Sequence, residues 1–227
     1  MNKSGITLSI ETAIQGGSLS ILIGDKEIDF WVGSRDVSRS EDILEQISIL
    51  LRRNKIEKKH IDLIVTSHSI GSHTGLRIGL ATVLGLSKAL DNCKIVEISI
   101  LTAITGSVKA DGRIIAAISN NNRDIIFQIF EKLSNTIQEI SQVSSMNYHS
   151  FCKMVEIEPT VCIITNERLY KNISESEKNT LYDVNLIKNA GENLAKQLGL
   201  KGQEVAASDN KLSSKPIKSN KNQRNTL

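Results

Sequence analysis

Aromatic side chains are scarce in this 227-residue chain: one Trp, three Tyr and four Phe, or 4% of the residues. A surface that reads nucleobases by stacking needs exposed rings, so their scarcity argues against one. Proline is rarer still, with Pro159 and Pro216 alone, which leaves most of the chain free to form regular elements. The three cysteines, Cys93, Cys152 and Cys162, are odd in number and lack the short paired spacing of a zinc site. They read as reduced, partly buried thiols. No apolar run approaches the roughly 18 residues of a membrane span, and no charged segment with an apolar stretch behind it opens the chain. A cytoplasmic protein without membrane contact is the expectation.

What is present fits a soluble α/β protein. Hydrophobic residues make up 40% and charged residues 23%, enough to bury a sizeable core. The pI of 8.7 is a local matter: residues 201–227 carry a formal charge of +4, and residues 1–200 about −1. From about Gly202 the chain is rich in Lys, Ser and Asn, and burial there cannot offset chain entropy, so residues 202–227 are expected to form a disordered basic tail.

Periodicity places the elements. Ile6, Leu8 and Ile10 alternate with polar neighbours, as do Leu19, Ile21 and Ile23, with Gly16-Gly17 as a turn between two strands. Lys26 to Trp31 suits a third strand. Ser38 or Ser40 can cap a following helix whose face carries Ile43, Leu44, Ile47, Leu50 and Leu51. Ile61 to Thr66 is a short apolar run of the kind buried parallel strands show. A helical pattern then runs to Leu90, and Lys94 to Ile98 makes another strand. Ile114 to Ser119 and Ile125 to Phe130 flank Asn120-Asn121-Asn122-Arg123, an echo of the first hairpin that suggests two related halves. Val161 to Thr165 is a later strand; Ile187, Ala190, Leu194 and Leu198 share a helical face closed by Gly199. Thr136 to Met154 is polar and poorly periodic. The halves divide at 1–104 and 105–201.

The most informative stretch is Ser69-Ile70-Gly71-Ser72-His73-Thr74-Gly75-Leu76-Arg77-Ile78-Gly79-Leu80-Ala81. Its glycines permit tight turns and close backbone approach, and Ser72 or Thr74 can cap the helix. Gly71, Ser72, Thr74, Gly75 and Arg77 could form an anion-binding loop at the helix start, or serve only as a structural turn. Gly79, Ala81, Thr82, Gly85, Ser87 and Ala89 then crowd small residues into a few turns. Such a helix allows close packing, either on its own sheet or against another subunit.

These residues carry a resemblance to the TsaB family, whose members show Gly-Pro-Gly-Ser-Phe-Thr-Gly-Leu/Val-Arg-Ile-Gly-Leu-Ala at this point. Gly71, Ser72, Thr74, Gly75, Arg77, Ile78, Gly79, Leu80 and Ala81 match in register. Leu8-Ser9-Ile10-Glu11-Thr12-Ala13 resembles that family's N-terminal start, and Arg39-Ser40-Glu41 with Leu44 resembles its "His-Ser-Glu-x-Leu" helix start. The likeness covers roughly residues 6–105. Ser69, Ile70 and His73 depart from it, as does Glu11, which resembles instead the opening of the catalytic relative TsaD.

The resemblance implies an actin-like ATPase fold (ASKHA, RNase H-like), α/β, with two related subdomains and mixed sheets. It further implies a non-catalytic scaffold that binds TsaD, together with the ATPase TsaE, for threonylcarbamoyl transfer to the adenosine beside the tRNA anticodon. tRNA would be reached through the complex, and the chain alone would form a homodimer. The expected contact residues are Leu44, Ile47, Leu51, Ile78, Thr82 and Gly85. No cofactor is expected in the isolated chain, although an adenine nucleotide could sit at the subunit junction. The metal-holding His-x-x-x-His of TsaD has no counterpart among His60, His68, His73 and His149. An alternative is an enzyme acting alone, an actin-like ATPase, kinase or metallopeptidase-like protein, with Glu11 and the Gly71–Arg77 loop as its machinery. The basic tail is a further candidate, as an arm for tRNA.

Overall fold

Continuous apolar strands call for a sheet covered on both faces, and alternating ones for a sheet covered on at least one. The computed structural model describes residues 5–14, 16–33, 42–68, 70–90, 93–119, 124–134, 136–157, 162–165, 185–188 and 193–213. Two sheets organise them. The first contains β1 (Ile6–Glu11), β2 (Ser18–Ile23), β3 (Lys26–Val32), β4 (Ile61–His68) and β5 (Lys94–Ser99), in the order β3-β2-β1-β4-β5. β1, β2 and β3 are joined antiparallel, while β4 and β5 add parallel. Parallel neighbours need a crossover, which α1 (Ile43–Arg53) and α2 (His73–Lys88) supply. Gly16 and Gly17 turn the β1–β2 hairpin at φ of 82° and 83°, where a side chain would be strained.

The second sheet contains β6 (Gly112–Ser119), β7 (Asp124–Leu133), β8 (Thr136–Glu139), β10 (Cys162–Thr165) and β11 (Asn185–Lys188), in the order β11-β10-β6-β7-β8. A further strand, β9 (Ser144–Asn147), pairs with β7 off that path. Read from its other end, the order repeats the first sheet. β6, β7, β8, β10 and β11 stand where β1, β2, β3, β4 and β5 stand, with the same antiparallel and parallel pairs. The echo at Ile114 to Phe130 is therefore one part of a repeat that spans both sheets. Each half ends in a helix, α3 (Ile100–Thr105) after β5 and α5 (Leu194–Ser213) after β11.

The strand period of two sorts side chains into layers. Leu8 and Ile10 of β1 and Ile64 of β4 join Ile43, Ile47, Leu50 and Leu51 of α1 and Val83 and Leu86 of α2 in one core. Leu63 and Val65, on the opposite face of β4, join Ile114, Ala116 and Ile118 of β6 and the helices α3 and α5 in a second. Ile115 and Ala117, on the other face of β6, pack with Phe151 and Val155 of α4 (Tyr148–Ile157). The molecule is thus helix, sheet, helix, sheet, helix, and α3 and α5 are shared between the sheets.

Several expectations need correction. Residues from Gly202 to Ser213 are not a tail; they continue α5. That helix lies on β1, β2, β4 and β5 as well as on α3, so a second unit ending at residue 201 does not describe the chain. Its packing is by backbone as much as by side chain. A Cβ on Gly199 would sit 2.3 Å from Ser9 Oγ and 2.4 Å from Leu22 Cδ1, and one on Gly202 would sit 2.4 Å from Val65 Cγ2. Gly199 is therefore a mid-helix contact and not a helix end, and Asn185–Lys188 is strand where a helical face through Ile187 was expected. Asn193 starts α5, its Oδ1 accepting from Lys196 N at 3.3 Å, and Ser18 Oγ accepts from Ala195 N at 3.0 Å. Thr136 to Met154, weakly periodic in sequence, supplies β8, β9 and the start of α4. Asp42 stands at the N-cap of α1 without a side-chain cap bond. Ser38, Ser40, Ser69, the Asn120–Arg123 turn and residues 214–227 lie outside the described residues.

Candidate functional site at the end of strand β1

The unusual group of the first sheet is a buried carboxyl. Glu11 ends β1 on the face away from α1, fully buried. Its Oε1 accepts from Ala13 N at 2.7 Å and from Ile14 N at 3.0 Å, closing the turn that leaves the strand. Oε2 is buried without a hydrogen-bond partner. The Ser67 hydroxyl of β4 lies near the carboxyl, weakly favouring its charged form, without the geometry to partner that oxygen. Desolvation dominates and pushes the Glu11 carboxyl up to about 8, against the lowering effect of the two amides and Ser67.

The turn after Glu11 is clamped to the start of α2. Ser72 N donates to Ala13 O at 2.9 Å, and Thr12 Oγ1 donates to Gly75 O at 2.7 Å. A Cβ on Gly71 would lie 2.5 Å from Ala13 Cβ, one on Gly75 2.2 Å from Thr12 O, and one on Gly79 2.4 Å from Thr12 Oγ1. Gly75 and Gly79 stand one turn apart on α2, with Gly71 in the loop before it, and together they leave room for Thr12-Ala13. Of the two candidate caps it is Ser72 that serves, its Oγ accepting from Gly75 N at 3.3 Å. The Ser72 and Gly75 amides therefore have partners inside the chain, and Arg77 and Thr74 are exposed on the surface. These contacts account for the loop as a structural turn.

The expected contact residues separate by burial. Ile47, Leu51 and Thr82 are 1%, 3% and 7% exposed and are buried within the chain itself, which leaves little of them for a partner. Ile78 is half-buried. Leu44 is 56% exposed, and a Cβ on Gly85 would meet nothing within 4 Å. Leu80 and Leu84, which sequence reasoning passed over, are also exposed. They stand at i and i+4 on α2 beside Ala81 and Gly85, and helical spacing from the buried Gly79, Val83 and Leu86 could have identified them.

Among the described residues no three His, Cys, Asp or Glu side chains come together as a metal-holding group. His68 ends β4, His73 opens α2 and His149 lies in α4. No helix among the described residues is long and apolar enough to cross a membrane.

A twice-repeated mixed sheet with helices between and outside the repeats defines the actin-like ATPase fold. The family model described as "TsaD: tRNA N6-adenosine threonylcarbamoyltransferase" matches residues 36–211, more than half of the chain, and the chain belongs to this tRNA-modification family. Comparison with curated protein sequences gives no match. Among solved structures, YeaZ from Pseudomonas aeruginosa is similar at a TM-score of 0.64 and 16% identity, over 90% of this chain and 94% of that one. A second, "uncharacterized protein with similarity to peptidase YEAZ" from the same organism gives 0.64 and 15% over the same shares. The inorganic polyphosphate/ATP-glucomannokinase of an Arthrobacter strain is similar at 0.55 and 8%, over 90% of this chain and 99% of that one. At such identities these structures establish the shared fold. The family match runs well past residue 105, where the likeness in sequence pattern had stopped.

Proposed function

We propose that this chain is a non-catalytic scaffold of the TsaB type, which binds a TsaD-type catalytic subunit and, through the complex, serves threonylcarbamoyl transfer to tRNA with a TsaE-type ATPase. The observation that carries the reading is the outer face of α1 and α2. Leu44, Leu80 and Leu84 are 56%, 46% and 50% exposed, and Gly85 leaves the helix backbone bare between them. Apolar side chains beside a bare glycine suit close approach of a second helix pair. In the absence of the partner the same face serves a homodimer. Glu11 supports the non-catalytic reading, since one of its oxygens is held inside the turn.

Size-exclusion chromatography with light scattering, on the chain mixed with the TsaD protein of the same organism, tests this. A mixed complex that is lost in Leu84→Asp and Gly85→Leu, while neither variant melts below the wild type, is the expected result. A chain that ignores TsaD would overturn the scaffold reading. The buried, unpartnered Oε2 of Glu11 favours the second reading, an actin-like enzyme acting alone. Calorimetric titration with adenine nucleotides separates the two: affinity in the isolated chain supports the enzyme, and affinity only in the mixture places a nucleotide at the junction.

A further inference from the structure

The C-terminal ends of α1 and α2 flank an open groove of about 640 Å³, lined by Leu51, Arg52, Ile56, Glu57, Lys58 and Lys59 among others. Five cations fall within residues 52–59, namely Arg52, Arg53, Lys55, Lys58 and Lys59, against the single carboxylate of Glu57. Two of them have partners. Arg53 forms an ion pair with Asp29 of β3, and Lys59 pairs with Glu57 at 2.8 Å. Arg52, Lys55 and Lys58 are exposed and make no ion pair among the described residues. Lys88, in the last turn of α2, adds a fourth beside Ala89 of the groove wall.

Cations in the last turn of a helix complement its dipole, which is a sufficient reason for Arg52 and Lys88. It is no reason for Lys58, which lies past the helix in the turn Lys58–His60, and it does not explain Lys55. Lys55 sits at φ 56°, the left-handed position that closes α1, with Ile56 N donating to Leu51 O at 2.9 Å and Lys55 N to Arg52 O at 3.1 Å. Glycine is the residue that fits this position without strain. The position instead carries a lysine whose ammonium makes no ion pair among the described residues.

We propose that this groove binds the sugar-phosphate backbone of RNA, with Arg52 and Lys58 of its wall, and Lys55 and Lys88 next in the chain to its Ile56 and Ala89, as the phosphate contacts. The choice of RNA among polyanions rests on the function proposed above. The chemistry agrees with the chain's poverty in aromatic residues, since phosphate contacts hold and orient a nucleic acid without reading its bases. The groove opens at the ends of the same two helices that carry the exposed leucines, so RNA held there lies beside the protein partner.

Fluorescence anisotropy of a labelled tRNA transcript, titrated with the chain alone and with the TsaD mixture at several salt concentrations, tests the groove. The triple variant Arg52→Gln/Lys58→Gln/Lys88→Gln should weaken binding on the order of tenfold or more near ~100 mM salt, and lower the slope of log K against log salt by about 2 to 3. Lys55→Gly should weaken binding severalfold while raising the melting temperature, a combination that a structural role for Lys55 cannot produce. A wild-type chain that does not bind tRNA, unchanged affinity and slope in both variants, loss only on deleting residues 214–227, or groove-dependent binding of anionic lipid vesicles in place of tRNA would each overturn the proposal. Chromatography of the same variants with TsaD keeps the two readings apart. A complex that forms normally with groove-independent tRNA binding sinks the groove alone, and groove-dependent tRNA binding by a chain that ignores TsaD sinks the scaffold alone.

Discussion

The Glu11 carboxyl holds the turn after β1 with one oxygen and keeps the other buried without a partner. A carboxyl whose pKa is raised from 4.5 to about 8 by burial binds its proton more tightly in the folded than in the unfolded chain. The contribution of Glu11 to folding stability is then greatest below about pH 4.5 and falls as pH rises to about 8, where it levels off. Glu11→Gln keeps an oxygen for the Ala13 and Ile14 amides and cannot ionise. The wild-type melting temperature should therefore decline between pH 5 and 8, by a contribution on the order of a few kcal/mol, relative to a nearly flat Gln variant. Differential scanning fluorimetry across that range checks it, and two parallel curves would remove Glu11 from the account of stability. The residue itself was legible in sequence as the acid at the end of the first strand. Its burial was not, because that depends on β4 and the α2 loop arriving from 50 or more residues away in the chain.

α2 separates the two faces of one helix that periodicity alone left undivided. Gly75 and Gly79 face the Thr12-Ala13 turn, and Gly85 faces nothing. Gly75→Ala must push its methyl against Thr12 O at 2.2 Å, a backbone atom that cannot rotate away, and should cost at least the roughly 1–3 kcal/mol of an overpacked core. Gly85→Ala meets open space in mid-helix and should stabilise the isolated chain by up to about 1 kcal/mol. Urea denaturation of both variants reads the contrast directly; a tolerated Gly75→Ala would mean that this glycine is not held against Thr12, and a destabilising Gly85→Ala that Gly85 does not face open space. The sequence showed a small-residue helix and left open whether its own sheet or a partner used it. Both faces exist, and only the three-dimensional placement of Thr12 assigns each glycine. The same limit explains α1: Leu44 falls at the edge of the stripe that Ile43, Ile47, Leu50 and Leu51 bury, near enough in angle to be counted with them. The basic run 52–59 was missed because net charge averaged over two hundred residues conceals a local excess.

At the scale of the whole molecule the repeat decides where the fold ends. α3 closes the first half and α5 the second, and both enter the layer between the sheets. The sequence of residues 202–213 looks too polar for that place. Its contacts are of kinds that hydropathy does not record: bare backbone at Gly202 against Val65, and Gln203 Nε2 donating to Thr7 Oγ1 at 2.9 Å and to Gly24 O at 2.8 Å. Val205 and Ala206 add partly buried apolar surface to the shared core. The symmetry of the halves, carried through from the first hairpin, would have called for a closing helix here. A chain ending at residue 201 therefore loses more than half of α5 and uncovers Val65 of β4 together with Thr7 of β1 and the Gly24 turn after β2. It should melt well below the full chain or fail to fold. A chain ending at residue 213 keeps every described contact and should melt within a few degrees of the full chain, with its assembly with TsaD intact. Parallel melting curves of the two truncations decide the matter, because equal stability would mean that α5 adds nothing beyond Lys201 and that the two sheets hold together through α3 and the first two turns of α5.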